Sequence, residues 1–175
     1  MRTIDRDSSA LLIIDVQARL MPAIAGADAL VANLRRLVTA AAAMGVPTCF
    51  TEQNPGGLGT TVPDLAPTSP ALRKMAFDAC RDGGLPALPG QPAMVVAGCE
   101  AHVCVLQTVL GLLDAGRRVY VVADASGSRT DESKAAALRR MEAHGAEVVT
   151  TEMVLFEWLG TAAHPRFREM VGLIK

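Results

Sequence analysis

Residues 93–124 read AMVVAGCEAHVCVLQTVLGLLDAGRRVYVVAD. Two apolar runs of strand length, AMVVAG at 93–98 and RVYVVAD at 118–124, flank HVCVLQTVLGLLDAG, a helical length that is apolar nearly all round and ends at Gly116. A continuous rather than alternating apolar strand is one covered by helices on both faces. Two such strands joined by a helix run parallel, because parallel neighbours need a long crossover connection. The stretch is therefore one strand–helix–strand unit of an α/β sheet.

The pattern repeats to either side. SALLIID at 9–15, PTCFT after Gly45 and AEVVT at 146–150 are further short runs bounded by Gly, Pro or charge, and a weaker strand is expected over Leu72–Phe77. Between the first two lies a helix with Leu30, Leu34, Leu37, Val38 and Ala41 on one face, Arg35 and Arg36 outside, and Gly45 as its stop. DESKAAALRRMEAHG reads as another, capped by Asp131 and stopped by Gly145. Alternating strands and helices of this kind predict a three-layer, doubly wound, mainly parallel sheet of about six strands. Residues 53–71 are too rich in Gly, Pro, Ser and Thr for regular structure and suggest a lid or rim. From Glu152 onward, FEWLG and HPRFREMVGLIK are short amphipathic pieces suited to packing on the sheet or against another subunit.

Composition narrows the function classes. The 175 residues are 50% hydrophobic and 20% charged, which suits one domain over 1–175. Seventeen basic and eighteen acidic residues leave a net charge of −1. No bulk field then draws nucleic acid or an anionic membrane, and the expected partner is a small molecule. No apolar stretch approaches the roughly 20 residues of a membrane helix, and MRTIDRDSS lacks the basic-then-apolar start of an export signal. A cytoplasmic location is expected, where Cys49, Cys80, Cys99 and Cys104 read as reduced thiols rather than a disulfide framework.

In a doubly wound sheet, ligands bind beyond the carboxyl ends of the strands, where the winding reverses. That rule gathers Asp15, Glu52 with Gln53, Glu100–Cys104 and Asp124 onto one edge. Cys104 falls in the first turn of a helix, where unpaired N–H groups and the helix dipole favour a thiolate. Cysteine is also a common small buried hydrophobe, and Cys49 and Cys99 inside strand runs fit that role. Asp15 closes an aliphatic run; it can act as a general base or cap the next turn, and desolvation favours a protonated carboxyl unless a cation stands nearby. Lys74, one of three lysines beside fourteen arginines, sits in the mostly apolar ALRKMAF, either as such a cation or as a solvated strand end. Glu100 and Asp124 read as strand-end hydrogen bonders, His144 and His164 as surface or capping groups, and Arg139–Arg140 as a solvated helix face. The cysteines lack the paired spacing of a structural zinc site, and GGLG at 56–59 lacks the lysine and the strand-to-helix setting of a phosphate loop.

The blocks LLIIDVQ, TEQNPGGLGTTVPDL, RKMAFDAC, VVAGCEAHVCVLQTVLGLLDAGRRVYVVADASGSR and HPRF together resemble the isochorismatase-like cysteine hydrolases over nearly the whole chain. Within them, TEQ-P-GLG-TVP and GCEAHVC resemble the branch of isochorismatase domain-containing proteins more than the nicotinamidases. The resemblance implies a strand order of 3-2-1-4-5-6 and a catalytic triad of Asp15, Lys74 and Cys104. Asp15 would accept the thiol proton, Lys74 would hold its carboxylate, and the N–H groups of Ala101 and Cys104 would form an oxyanion hole beside a non-proline cis peptide between Glu100 and Ala101. Gln17, Gln53, Phe77, Glu100 and His102 fall where the substrate pocket is expected. The implied activity is hydrolysis of a small amide-type C–N bond through a thioester, with no cofactor and in a homo-oligomer. A catalytically idle, scaffolding or redox-responsive member is the alternative.

Three features set this chain apart. Ala101 and His102 stand where most amidohydrolase relatives carry Thr-Asp, so substrate contacts made by those side chains do not transfer. His102 itself invites a Cys/His dyad with Cys104, although the resemblance assigns the base role to Asp15. Nicotinamidases hold a metal through histidines in the loop after the second strand, and residues 53–71 contain no His, so no catalytic metal is expected. True isochorismatases cleave a vinyl ether and lack the cysteine, so Cys104 argues against that reaction.

Overall fold

A computed structural model describes residues 2–65, 67, 70–81, 85 and 92–175. Every residue of β1 (Ser9–Ile14) and β4 (Ala93–Cys99) is buried, as their continuous apolar runs require. They pair in parallel from Ser9–Ala93 to Ile14–Gly98 at the centre of the sheet. β2 (Thr48–Gln53) and β3 (Leu72–Lys74) extend it on one side, β5 (Arg118–Gly127) and β6 (Glu147–Val149) on the other. All pairings are parallel and the order is 3-2-1-4-5-6, as the resemblance implied.

Alternate strand residues feed two cores. Leu11, Ile13, Phe50, Val95, Tyr120 and Val122 pack with α1 (Ala27–Met44), α5 (Thr151–Leu159) and α6 (Phe167–Ile174). Leu12, Ile14, Val96, Val119 and Val121 face the opposite layer, where α3 (Leu106–Asp114) and α4 (Asp131–Ala143) lie. The C-terminal pieces are thus part of a helical layer. No described helix is long and apolar enough to cross a membrane.

Four local expectations need correction. β3 ends at Lys74, not Phe77, because the Ala76 and Phe77 carbonyls turn to the Lys74 ammonium instead of continuing a ladder. β5 runs past Asp124 to Gly127: a register shift opposite Val96–Gly98 lets the strand bend and resume pairing at Ser126. Thr130 rather than Asp131 caps α4, its hydroxyl accepting from Ser133 N at 3.2 Å, while Asp131 lies within the first turn. The stretch 53–71 contains a helical turn, α2 (Pro55–Leu58), started by a proline whose φ is preset for it, and a 3-10 turn at Pro63–Leu65. Residues 66, 68 and 69 of that stretch lie outside the described residues.

Candidate active site

The winding reverses between β1 and β4, so whatever follows these two strands shares one crevice. Asp15 follows β1 directly, in the left-handed region at φ +51, which aspartate tolerates better than most residues. Its N–H donates to Thr51 O, and its carbonyl accepts from Gln17 N at 3.0 Å. The carboxylate is bound on both oxygens: Thr51 Oγ1 donates to Oδ1 at 2.6 Å and Lys74 Nζ to Oδ2 at 2.7 Å. The two side chains of this ion pair are each only 1% exposed.

Lys74, the last residue of β3, is enclosed on several sides. Besides Asp15, its ammonium donates to Gln53 Oε1 at 2.8 Å and to the Ala76 and Phe77 carbonyls at 3.3 Å. A buried cation persists only with such a set of acceptors. The Asp15–Lys74 pair is the neighbour that the aliphatic setting of Asp15 called for.

Cys104 approaches from the other strand. β4 passes through Gly98, at φ +124, where a Cβ would stand 2.1 Å from Ile14 O. Only glycine permits that approach immediately before Asp15. The chain then enters a π-helical turn, Ala101–Val105, that leads into α3. Such turns are frequent at functional sites, and this one carries Cys104, whose thiol lies close enough to Asp15 and Lys74 to feel both charges. The cis peptide found among the described residues joins Cys99 to Glu100, one bond earlier than expected, at the point where β4 ends and the turn begins.

The electrostatics of the folded chain run against the expected thiolate. Burial, reinforced by the Asp15 charge and only partly opposed by Lys74, pushes the Cys104 thiol up to about 12. The desolvation of a nearly closed site outweighs what a helix start contributes. The direction favours the protonated thiol.

The expected pocket residues divide. Gln17 is fully buried and its amide is consumed by backbone: Oε1 accepts from Gln53 N at 2.8 Å, and Nε2 donates to the Gln53 and Gly59 carbonyls. Gln53 spans Lys74 and the Met75 carbonyl, to which its Nε2 donates at 2.8 Å. Both amides therefore hold the site's frame. Phe77 is half exposed beside Lys74. Glu100 accepts from Arg129 N and Nε through Oε2, the latter at 3.0 Å, and His102 Nδ1 lies 3.0 Å from Ser128 Oγ, so these two tie the Cys104 turn to the end of β5. Asp124 accepts from Thr151 N and Oγ1 and belongs to the start of α5. Sequence reasoning missed Thr51; its signal was position, since it pairs with Ile14 one residue before the base candidate. Among the described residues no three His, Cys, Asp or Glu side chains gather where they could hold a metal ion.

A family model described as the isochorismatase domain matches residues 9–153. Isochorismatase domain-containing protein 2 of Homo sapiens is 37% identical over 175 residues, covering 96% of this chain and 83% of that protein. The structure of MAR1 ribonuclease from Caenorhabditis elegans superposes with a TM-score of 0.93 at 36% identity, over 98% of this chain and 92% of that one. The Escherichia coli ycaC gene product, described as an octameric hydrolase of unknown specificity, gives 0.84 at 26% identity, over 98% of this chain and 96% of its own.

Proposed function

Because the chain belongs to the isochorismatase domain family, we propose that it hydrolyses a small amide-type C–N bond with Cys104 as nucleophile, Asp15 as proton carrier and Lys74 as the cation that orients Asp15. The supporting observation is the single buried constellation in which the Cys104 thiol meets a carboxylate fixed by Thr51 and Lys74. A thiol with its pKa near 12 does not supply a standing thiolate. Proton transfer to Asp15 therefore accompanies attack of sulfur on the carbonyl carbon. The resulting oxyanion would be met by the N–H groups of Ala101 and Cys104, since those of Val103 and Val105 already donate to the Glu100 carbonyl. Collapse breaks the C–N bond; the amine leaves with the proton from Asp15, and a thioester remains on Cys104. Water attacks that thioester, gives a proton to Asp15 and releases a carboxylic acid, and the proton returns to sulfur.

A panel of small primary amides, assayed with intact-protein mass spectrometry, tests the reading. Turnover lost in Cys104→Ala, and an acyl adduct on Cys104, are expected. Adducts on Cys49 alone, or turnover that survives Cys104→Ala, would reject it. The name of the Caenorhabditis elegans relative adds an RNA arm: cleavage of RNA unaffected by Cys104→Ala would point to different chemistry. A second reading, an idle scaffolding member, draws on the near-closure of the site, where Asp15, Lys74 and Cys104 are 1%, 4% and 6% exposed. It predicts no adduct and no turnover at all. The protonated thiol disfavours the redox-responsive alternative. A homo-oligomer is supported by the octameric Escherichia coli hydrolase.

A further inference from the structure

The segment that follows Lys74 leaves the sheet after the Met75 carbonyl, which Gln53 Nε2 holds at 2.8 Å. It is seated on the helical run that carries Cys104. Ala79 N donates to Thr108 Oγ1 at 3.0 Å, a bond buried on both sides, and Cys80 Sγ approaches Thr108 O at 3.9 Å. Thr108 is fully buried, so this hydroxyl has no water to bond instead. One turn further along, Gly111 meets the Asp78 carboxyl so closely that a Cβ there would lie 2.8 Å from both of its oxygens. Asp78 in turn accepts from Cys80 N at 2.8 Å, which fixes the carboxyl against Gly111. Cys104, Thr108 and Gly111 succeed one another at spacings of four and three residues, the spacing of side chains stacked along one helical stripe. The opposing segment runs from Lys74 through the two carbonyls that hold its ammonium, at Ala76 and Phe77, to the docked residues Asp78–Cys80.

We propose that Thr108 and Gly111 are positioning residues: by seating Asp78–Cys80 on the helix that bears Cys104, they fix the Ala76 and Phe77 carbonyls around the Lys74 ammonium and so set Lys74 against the thiol. The proposal rests on the assignment of Lys74 and Cys104 given above. Its physical content is that one helix stripe aligns nucleophile and cation together, whereas the sheet alone leaves Lys74 at the end of a three-residue edge strand. Asp15 and Gln53 hold the ammonium from the sheet side, and the dock keeps the two carbonyls that complete its cage in place.

The readout is the ratio of Cys104 alkylation rates with iodoacetate and iodoacetamide, measured on the full chain by peptide mass spectrometry. In both reactions sulfur displaces iodide and loses its proton. The reagents differ in charge, so thiol ionisation and access largely cancel in the ratio and the position of the Lys74 ammonium remains. Thr108→Val keeps the shape and removes the acceptor; the ratio should fall at least about fivefold, the size of a unit-charge attraction at close range even under water-like screening. Thr108→Ser should restore it. Gly111→Ala, which displaces Asp78, should lower it in the same direction and carries the test should Thr108→Val fail to fold. A folded Thr108→Val or Gly111→Ala whose two rates move together, with the ratio unchanged, overturns the proposal and leaves Thr108 a packing residue. Amide turnover is not read, so a chain without amidase activity fails the earlier test and not this one.

Discussion

Gly98 shows how much a single position can decide here. Its φ of +124 and the 2.1 Å that would separate a Cβ from Ile14 O mean that no other residue fits without moving β1 away from β4. Gly98→Ala should therefore cost at least about 3 kcal/mol in urea unfolding, combining backbone strain with a steric clash in the core. A loss under about 1 kcal/mol would show that the two central strands can part cheaply. The same junction explains why Asp15 could be singled out from sequence whereas the state of Cys104 could not. An aspartate ending an aliphatic strand is visible in LLIID. The protonation of a thiol depends on what closes over it, and Asp15, Lys74 and the surrounding burial come from segments 89 and 30 residues distant.

At the scale of elements, unbroken apolar runs identified β1 and β4, which are covered on both faces, whereas the half-exposed edge strand β3 left only a weak mark, and ends were harder to place. β3 and β5 end where side chains and bulges redirect the backbone, and no periodicity reports that. Helix α4 is instructive, since Thr130 and Asp131 are both good caps and the extended φ of −133 at Thr130 decides between them. Thr130→Ala should lower stability by about 1 kcal/mol in chemical denaturation, and Asp131→Ala by less. The reverse ranking would return the cap to Asp131. Gln17 and Gln53 were legible as members of the site but not as its frame, because an amide consumed by backbone looks in sequence like one offered to a ligand.

For the whole molecule, the four cysteines act in one direction. Burial raises the thiol of Cys49, and those of Cys80, Cys99 and Cys104 reach about 12. A group whose folded pKa lies above its unfolded value stabilises the fold fully below the unfolded pKa, here 9.0, and loses that contribution as pH rises toward the folded value. Stability should therefore fall between about pH 9 and 12, and Cys99→Ala should flatten that decline relative to its own value at pH 8. A urea midpoint that holds steady from pH 8 to 10.5 would contradict this. The Gly-rich stretch after β2 is stitched to the segment that follows β1 through Ala18 N to Thr60 O, Arg19 N to Leu58 O and Val62 N to Val16 O, and to β2 itself through Thr61 N to the buried Glu52 carboxylate. The amides of Ala18, Arg19, Thr61 and Val62 should exchange with solvent as slowly as those of a core strand, which makes this stretch a fixed wall. Traffic to the thiol then falls to the opposite bank, where the side chains of Met75 and Phe77 stand in water.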